Sequence, residues 1–280
     1  MGVSVINEPA GVLTRDEMRP AYIVLWTMCL AHFLNDLLQS LLSAIFPILK
    51  ESYQLDFAQI GYIALAFHVT ASLLQPAVGW YTDKRPKYYA LAFGMGSTLI
   101  GLVLLAYASS YVGLLFAAAM VGTGSSIFHP EGSRVTRMAA GNRLGMAQST
   151  FQVGGNFGQA AGPLLAAFVI VPVGQRGIVW FAGLAFVAIL VLGAVGRWYQ
   201  THAADVAKRL KREAKASVSA NFSRRKVAVA ITLLLILLFS KSFYNASLNT
   251  FYSFYLMEKF GLSVRDAQLY LFLYMGAVAA

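Results

Sequence analysis

Long apolar runs, separated by short polar stretches, recur along this chain. About twenty helical residues cross a hydrocarbon core roughly 30 Å thick. The runs therefore predict membrane helices near 21–48, 58–80, 89–109, 112–133, 146–171, 177–198 and 227–251, with an eighth beginning near 265. Inside them, the few polar and small residues fall at helical spacing. His32, Asp36, Gln39 and Ser43 share one face of the first helix by their 4-3-4 spacing. In the fifth, Gly154, Gly158 and Gly162-Pro163 form one stripe and Gln148, Gln152, Asn156 and Gln159 another. A small-residue stripe lets helices approach closely, and polar groups in hydrocarbon face a bundle interior or a water-filled path. The expected fold class is an all-α polytopic membrane protein, with this fifth helix in the wall of a transport pathway.

Composition agrees, since 58% of residues are hydrophobic and 12% charged, against about 25% charged in a soluble domain. Most of the 22 Lys and Arg fall in alternate connections, around Lys84 to Lys87, Arg134 to Arg143 and Arg197 to Lys226. Positive loops stay cytoplasmic, so the N-terminus is expected in the cytoplasm. The same placement makes the net charge of +10 a topology signal rather than a nucleic-acid surface. Segment 1–20 carries acids and bases but no short apolar core with a cleavage site, so no removable signal peptide is expected. The domain plan is a cytoplasmic segment over 1–20, a six-helix membrane half over 21–199, a basic linker over 200–226 and the start of a second half over 227–280. Cys29 is the only cysteine, which excludes an intrachain disulfide.

A faint repeat supports two halves. Leu55-Asp56-Phe57-Ala58-Gln59 precedes the second helix, and Leu262-Ser263-Val264-Arg265-Asp266-Ala267-Gln268 precedes the eighth, which pairs Gln59 with Gln268. Parallel repeats of this kind build many transporters. On that plan a complete chain is expected to run to roughly 400 residues, and 280 to be a piece of it.

The run Gly79-Trp-Tyr-Thr-Asp83-Lys84-Arg85-Pro86-Lys87 resembles the loop signature of the major facilitator superfamily, in which Gly, Asp and nearby bases latch helices on the cytoplasmic side. Pro86 stands where that family usually has a second Gly. Gly154-x3-Gly158-x3-Gly162-Pro163 resembles the fifth-helix signature of its proton-coupled drug antiporters. The fourth-helix Arg of that superfamily is absent, and Ala118 holds its place. Four further stretches resemble the fosmidomycin-resistance transporters of bacteria. They are His32-Phe-Leu-Asn35-Asp36-Leu-Leu-Gln39-Ser40, Ser72-Leu-Leu-Gln75-Pro76, Gly122 to Glu131 and Phe151-Gln152-Val-Gly-Gly-Asn156-Phe-Gly158. The resemblance implies a monomer in the inner membrane that exports a phosphonate antibiotic in exchange for protons. It makes Gly79, Asp83, Lys84, Lys87, Gly154, Gly158, Gly162 and Pro163 candidate gating residues.

Of the twelve acids, only Asp36 and Glu131 lie at membrane depth. Charge there costs at least about 2.5–3.5 kcal/mol, and desolvation favours the neutral acid. Asp36 is a candidate proton carrier, with a structural Asp paired to a helix partner equally open. Glu131 is a candidate relay or gate, or a local ion pair with Arg134 at i+3. Lys241, Asn245, Asn249 and Tyr252 share a face of the seventh helix, with Tyr244 beside it. Lys241 is read as an anion-binding charge or a partner of Asp36, with snorkelling to the interface as the plainer reading. His32, Gln39, His129, Gln148, Gln152, Asn156, Lys241, Tyr244 and Asn245 are the candidate substrate residues, and His68 is assigned to the core. No metal is expected, because His129 and Glu131 are two apart on a broken helix with no paired ligands. Gly122-Thr-Gly-Ser-Ser lacks the Lys and the strand of a phosphate loop, so no nucleotide or other cofactor is expected and coupling must draw on an ion gradient. The partners are then a small molecule, protons and lipid. Two readings stay open beside drug export: a carrier of the same fold for an organic phosphate or sugar, and a truncated product that transports nothing. An enzyme would need a metal pair or a nucleophile with its base at one depth, and none is found in the sequence.

Overall fold

The computed structural model describes residues 20–216 and 223–279, with the backbone alone between 205 and 216. The segment expected over 1–20 lies outside the described residues except for Pro20, as does 217–222 of the linker.

The described residues form ten α-helices: α1 Tyr22–Ala44, α2 Phe46–Ser52, α3 Phe57–Lys84, α4 Ala90–Tyr107, α5 Tyr111–Ala139, α6 Leu144–Leu165, α7 Val171–Val173, α8 Val179–Ala216, α9 Arg224–Phe260 and α10 Val264–Ala279. No strand occurs among the described residues. Among the described residues, seven helical segments are long and apolar enough to cross a membrane, so this is a multi-pass membrane protein.

Several helices outrun their expected limits. α5 continues through Pro130 to Ala139, because a proline removes one N–H bond without unravelling a helix packed on both sides. α9 starts at Arg224 and ends at Phe260, where Gly261 turns into the left-handed region (φ 66°) and donates its N–H to Met257. That is a glycine-capped terminus. Past Pro163 the helix widens into a π turn at Ala166–Ile170.

The core lies where α1, α4, α5, α6 and α8 meet, around Met28, Leu38, Met95, Leu102, Ala117 and Phe128. α3 closes on α5, and α10 on α6 and α9. From Arg224 to Tyr244, α9 is exposed, with Leu234, Leu238 and Phe243 turned outward. At one end of the bundle the start of α1 meets the end of α5 through Ala21 N–H to Ala139 O, 2.8 Å. At the other, the Tyr53 hydroxyl lies 2.5 Å from Ala108 O and 2.9 Å from Gln175 Oε1, with one proton to share between the two acceptors.

Both stretches of the faint repeat open a helix with a side-chain cap, and aligning the two caps shifts the register by two. Asp56 caps α3 by accepting from Gln59 N at 2.7 Å, and Gln59 Oε1 accepts from Asp56 N at 2.9 Å. Ser263 caps α10 by accepting from Asp266 N at 3.1 Å, and donates to Asp266 Oδ2 at 2.7 Å. Leu55 and Leu262 precede these caps, so Gln59 corresponds to Asp266 rather than to Gln268.

Candidate functional site

The α1 face read from the sequence does meet a partner, but through a residue on each of two other helices. His32 is 2% exposed and stacks on Phe151 of α6 with ring centroids 4.0 Å apart. Gly155 makes room for it, since a Cβ there would collide with the imidazole. His32 Nδ1 lies 2.7 Å from Phe151 O. A carbonyl only accepts, so Nδ1 carries the hydrogen and a neutral His32 has a bare lone pair at Nε2. That nitrogen faces Asp36 Oδ2 at 3.4 Å. Asp36 Oδ1 accepts from Asn35 Nδ2 at 2.9 Å and lies 3.8 Å from His129 Nε2 of α5. Lone pair and carboxylate oppose each other, so this contact is favourable only with a positive charge between them.

Asp36, Gln39 and Ser43 then line a cavity of about 130 Å³ with His129. Its remaining polar wall comes from Ser40 of α1, His68 of α3, Gln159 of α6, and Asn249 and Thr250 of α9. Asn156 and Asn245 meet in an adjoining space of about 20 Å³ that shares Gln159 and Asn249. His68 was assigned to the core; Gln159 and Asn249 stood on the polar faces read from the sequence but, like Thr250, were not among the candidate substrate residues.

Other candidates lie elsewhere. Gln148 is bonded to α5, donating to Ser133 O at 3.1 Å. Gln152 is exposed and donates to Asn156 Oδ1 at 3.2 Å. Lys241 and Tyr244 are exposed on the uncovered stretch of α9 and line none of these spaces. One helical face carries Lys241 and Asn249, but only its lower part is covered.

Glu131 is 1% exposed and pairs with Arg134 at 3.0 Å, the i+3 pair read from the sequence. Arg134 also binds Asp83 at the end of α3, so one guanidinium ties α3 to α5. Lys84 sits over the Trp80 ring at 3.7 Å and Lys87 over Tyr81 at 5.5 Å. Gly79 was expected to permit close helix approach, yet a Cβ there would meet nothing within 4 Å. The stripe in α6 does pack: Gly154, Gly158 and Gly162 face Cys29 O, Phe33 O and Ser40 Oγ of α1, with Pro163 following.

The family model described as Major Facilitator Superfamily matches residues 28–280. The chain belongs to this superfamily. It is 52% identical over 264 residues to the fosmidomycin resistance protein of Escherichia coli (strain K12), covering 94% of this chain and 64% of that protein. It is 41% identical over 254 residues to the uncharacterized MFS-type transporter YfnC of Bacillus subtilis (strain 168), covering 91% and 62%. The chain thus spans less than two thirds of the length of these curated relatives. A bacterial homolog of the human lysosomal transporter Spinster, solved inward-facing and occupied, shares the fold with a TM-score of 0.67 at 14% identity, covering 88% of this chain and 56% of that one.

Proposed function

We propose that the chain belongs to a proton-coupled exporter that carries a small anionic drug, of the fosmidomycin-like phosphonate class, outward across the bacterial inner membrane by alternating access, with its N-terminus in the cytoplasm. The observation that carries the reading is His32 Nε2 facing Asp36 at 3.4 Å at the wall of a polar cavity. A proton entering between them joins imidazole to carboxylate, and its departure leaves an uncompensated charge. At membrane depth such a charge costs at least about 2.5–3.5 kcal/mol, so proton occupancy biases which face of the cavity opens. Gln39, Gln159 and Asn249 supply neutral hydrogen bonds to the cargo. Asp83, Arg134 and Glu131 latch α3 to α5 at the end where the basic connections lie. The similarity to the Escherichia coli fosmidomycin resistance protein supports the drug class.

The test is fosmidomycin resistance in a sensitive strain carrying this chain, a version of roughly 400 residues, and Asp36→Asn in each. Resistance is expected to disappear with Asp36→Asn while the protein still reaches the membrane. Resistance that survives the substitution removes Asp36 from the proton path.

A further inference from the structure

The same three side chains have a second capability that their positions along the chain conceal. His32, Asp36 and His129 come from α1 and α5, and one ligand atom from each lies within 4.8 Å of the other two. His32 Nε2 lies 3.4 Å from Asp36 Oδ2, and His129 Nε2 lies 3.8 Å from the other carboxylate oxygen, Asp36 Oδ1. Nitrogen and oxygen ligands about 2.0–2.2 Å from a tetrahedral Zn²⁺ are themselves roughly 3.4 Å apart, so small side-chain adjustments close the set.

Three features favour a metal ion over a loose polar cluster. First, His32 Nε2 is buried without a hydrogen-bond partner and points at the carboxylate. Second, its Nδ1–H is committed to Phe151 O at 2.7 Å, the outer contact that fixes tautomer and ring orientation in metal-binding histidines. Third, Asp36 and His129 open onto the cavity of about 130 Å³, which leaves space for a further ligand such as water or an anionic oxygen. Two imidazoles with one carboxylate suit Zn²⁺, Co²⁺ or Ni²⁺ rather than the hard Mg²⁺ or Ca²⁺.

We propose that His32, Asp36 and His129 form a site for one divalent transition-metal ion, which on binding ties α1 to α5 beside the cavity. The site itself requires neither drug export nor proton coupling.

The experiment titrates untagged protein, purified in detergent, with Co²⁺ and reads the visible absorption of a low-symmetry cobalt site, then displaces the ion with Zn²⁺. One Co²⁺ per chain is expected. His129→Gln and Asp36→Asn should each weaken binding by at least about tenfold, and His202→Gln, at the exposed end of α8, should leave it unchanged. Helical circular dichroism and a monodisperse elution profile accompany every variant. His129 makes no hydrogen bond that its loss would orphan, so its variant stays informative if Asp36→Asn folds poorly. Folded wild-type protein that shows no cobalt band, or a His129→Gln variant that titrates like wild type, overturns the proposal. Neither result bears on resistance, and a failed resistance assay leaves the cobalt readout standing.

Discussion

Gly158 of α6 faces the backbone carbonyl of Phe33 on α1 so closely that a Cβ at 158 would collide with it. Backbone cannot move aside as a flexible side chain does, so the helices would have to separate. Gly158→Ala is expected to destabilise the bundle by about 1–3 kcal/mol, the usual cost of overpacking. Gly183 of α8 has nothing within 4 Å, and Gly183→Ala is expected to leave stability unchanged or slightly improved. Thermal unfolding of the two variants in the same detergent measures the difference.

Arg134 holds a carboxylate that is 1% exposed on one side and Asp83, whose side chain is 72% exposed, on the other. Removing the guanidinium strands Glu131, and breaking such a buried pair costs about 3–5 kcal/mol. Arg134→Gln should therefore be severe, while Asp83→Asn should cost about 1 kcal/mol or less. Glu131→Gln combined with Arg134→Gln should recover much of the loss, because no charge is left buried. A double-mutant cycle on unfolding midpoints checks the coupling.

The caps at Asp56 and Ser263 each satisfy an N–H that its helix leaves open. Asp56→Ala and Ser263→Ala should each cost about 0.5–2 kcal/mol. Hydrogen exchange should show the loss in the first turns of α3 and α10 respectively. Gln59→Ala should echo the first variant and Asp266→Ala the second, whereas a matching effect from Gln268→Ala would restore the register of identical letters.

Asn249 brings α9 to the cavity that holds Asp36. Replacing its amide with leucine removes a donor and an acceptor and adds apolar volume. With the proposed export, Asn249→Leu should lower fosmidomycin resistance at least severalfold without changing the amount of protein in the membrane. Equal resistance at equal protein levels would place the cargo elsewhere.

The fold was legible because each helix announces itself locally. About twenty apolar residues cross the hydrocarbon wherever their neighbours lie, and the Gly154-Gly158-Gly162 stripe marks a packing face whichever helix it meets. The pairing of Glu131 with Arg134 was legible for the same reason, since i+3 spacing is a property of one helix. Asp36 was marked by its cost in hydrocarbon alone.

The partners of these residues were not legible. Nothing in the sequence says that His129 reaches Asp36, that Gly155 clears space for the His32 ring, or that His68 and Asn249 face one cavity from α3 and α9. Lys241 drew attention as a lone charge in an apolar run, yet it stands on a stretch of α9 that no described helix covers. Periodicity gives each helix its faces, because the 3.6-residue turn is set by the backbone. Which faces meet is decided by packing across elements far apart in sequence, and the chemistry of His32, Asp36 and His129 exists only once α1 and α5 are side by side.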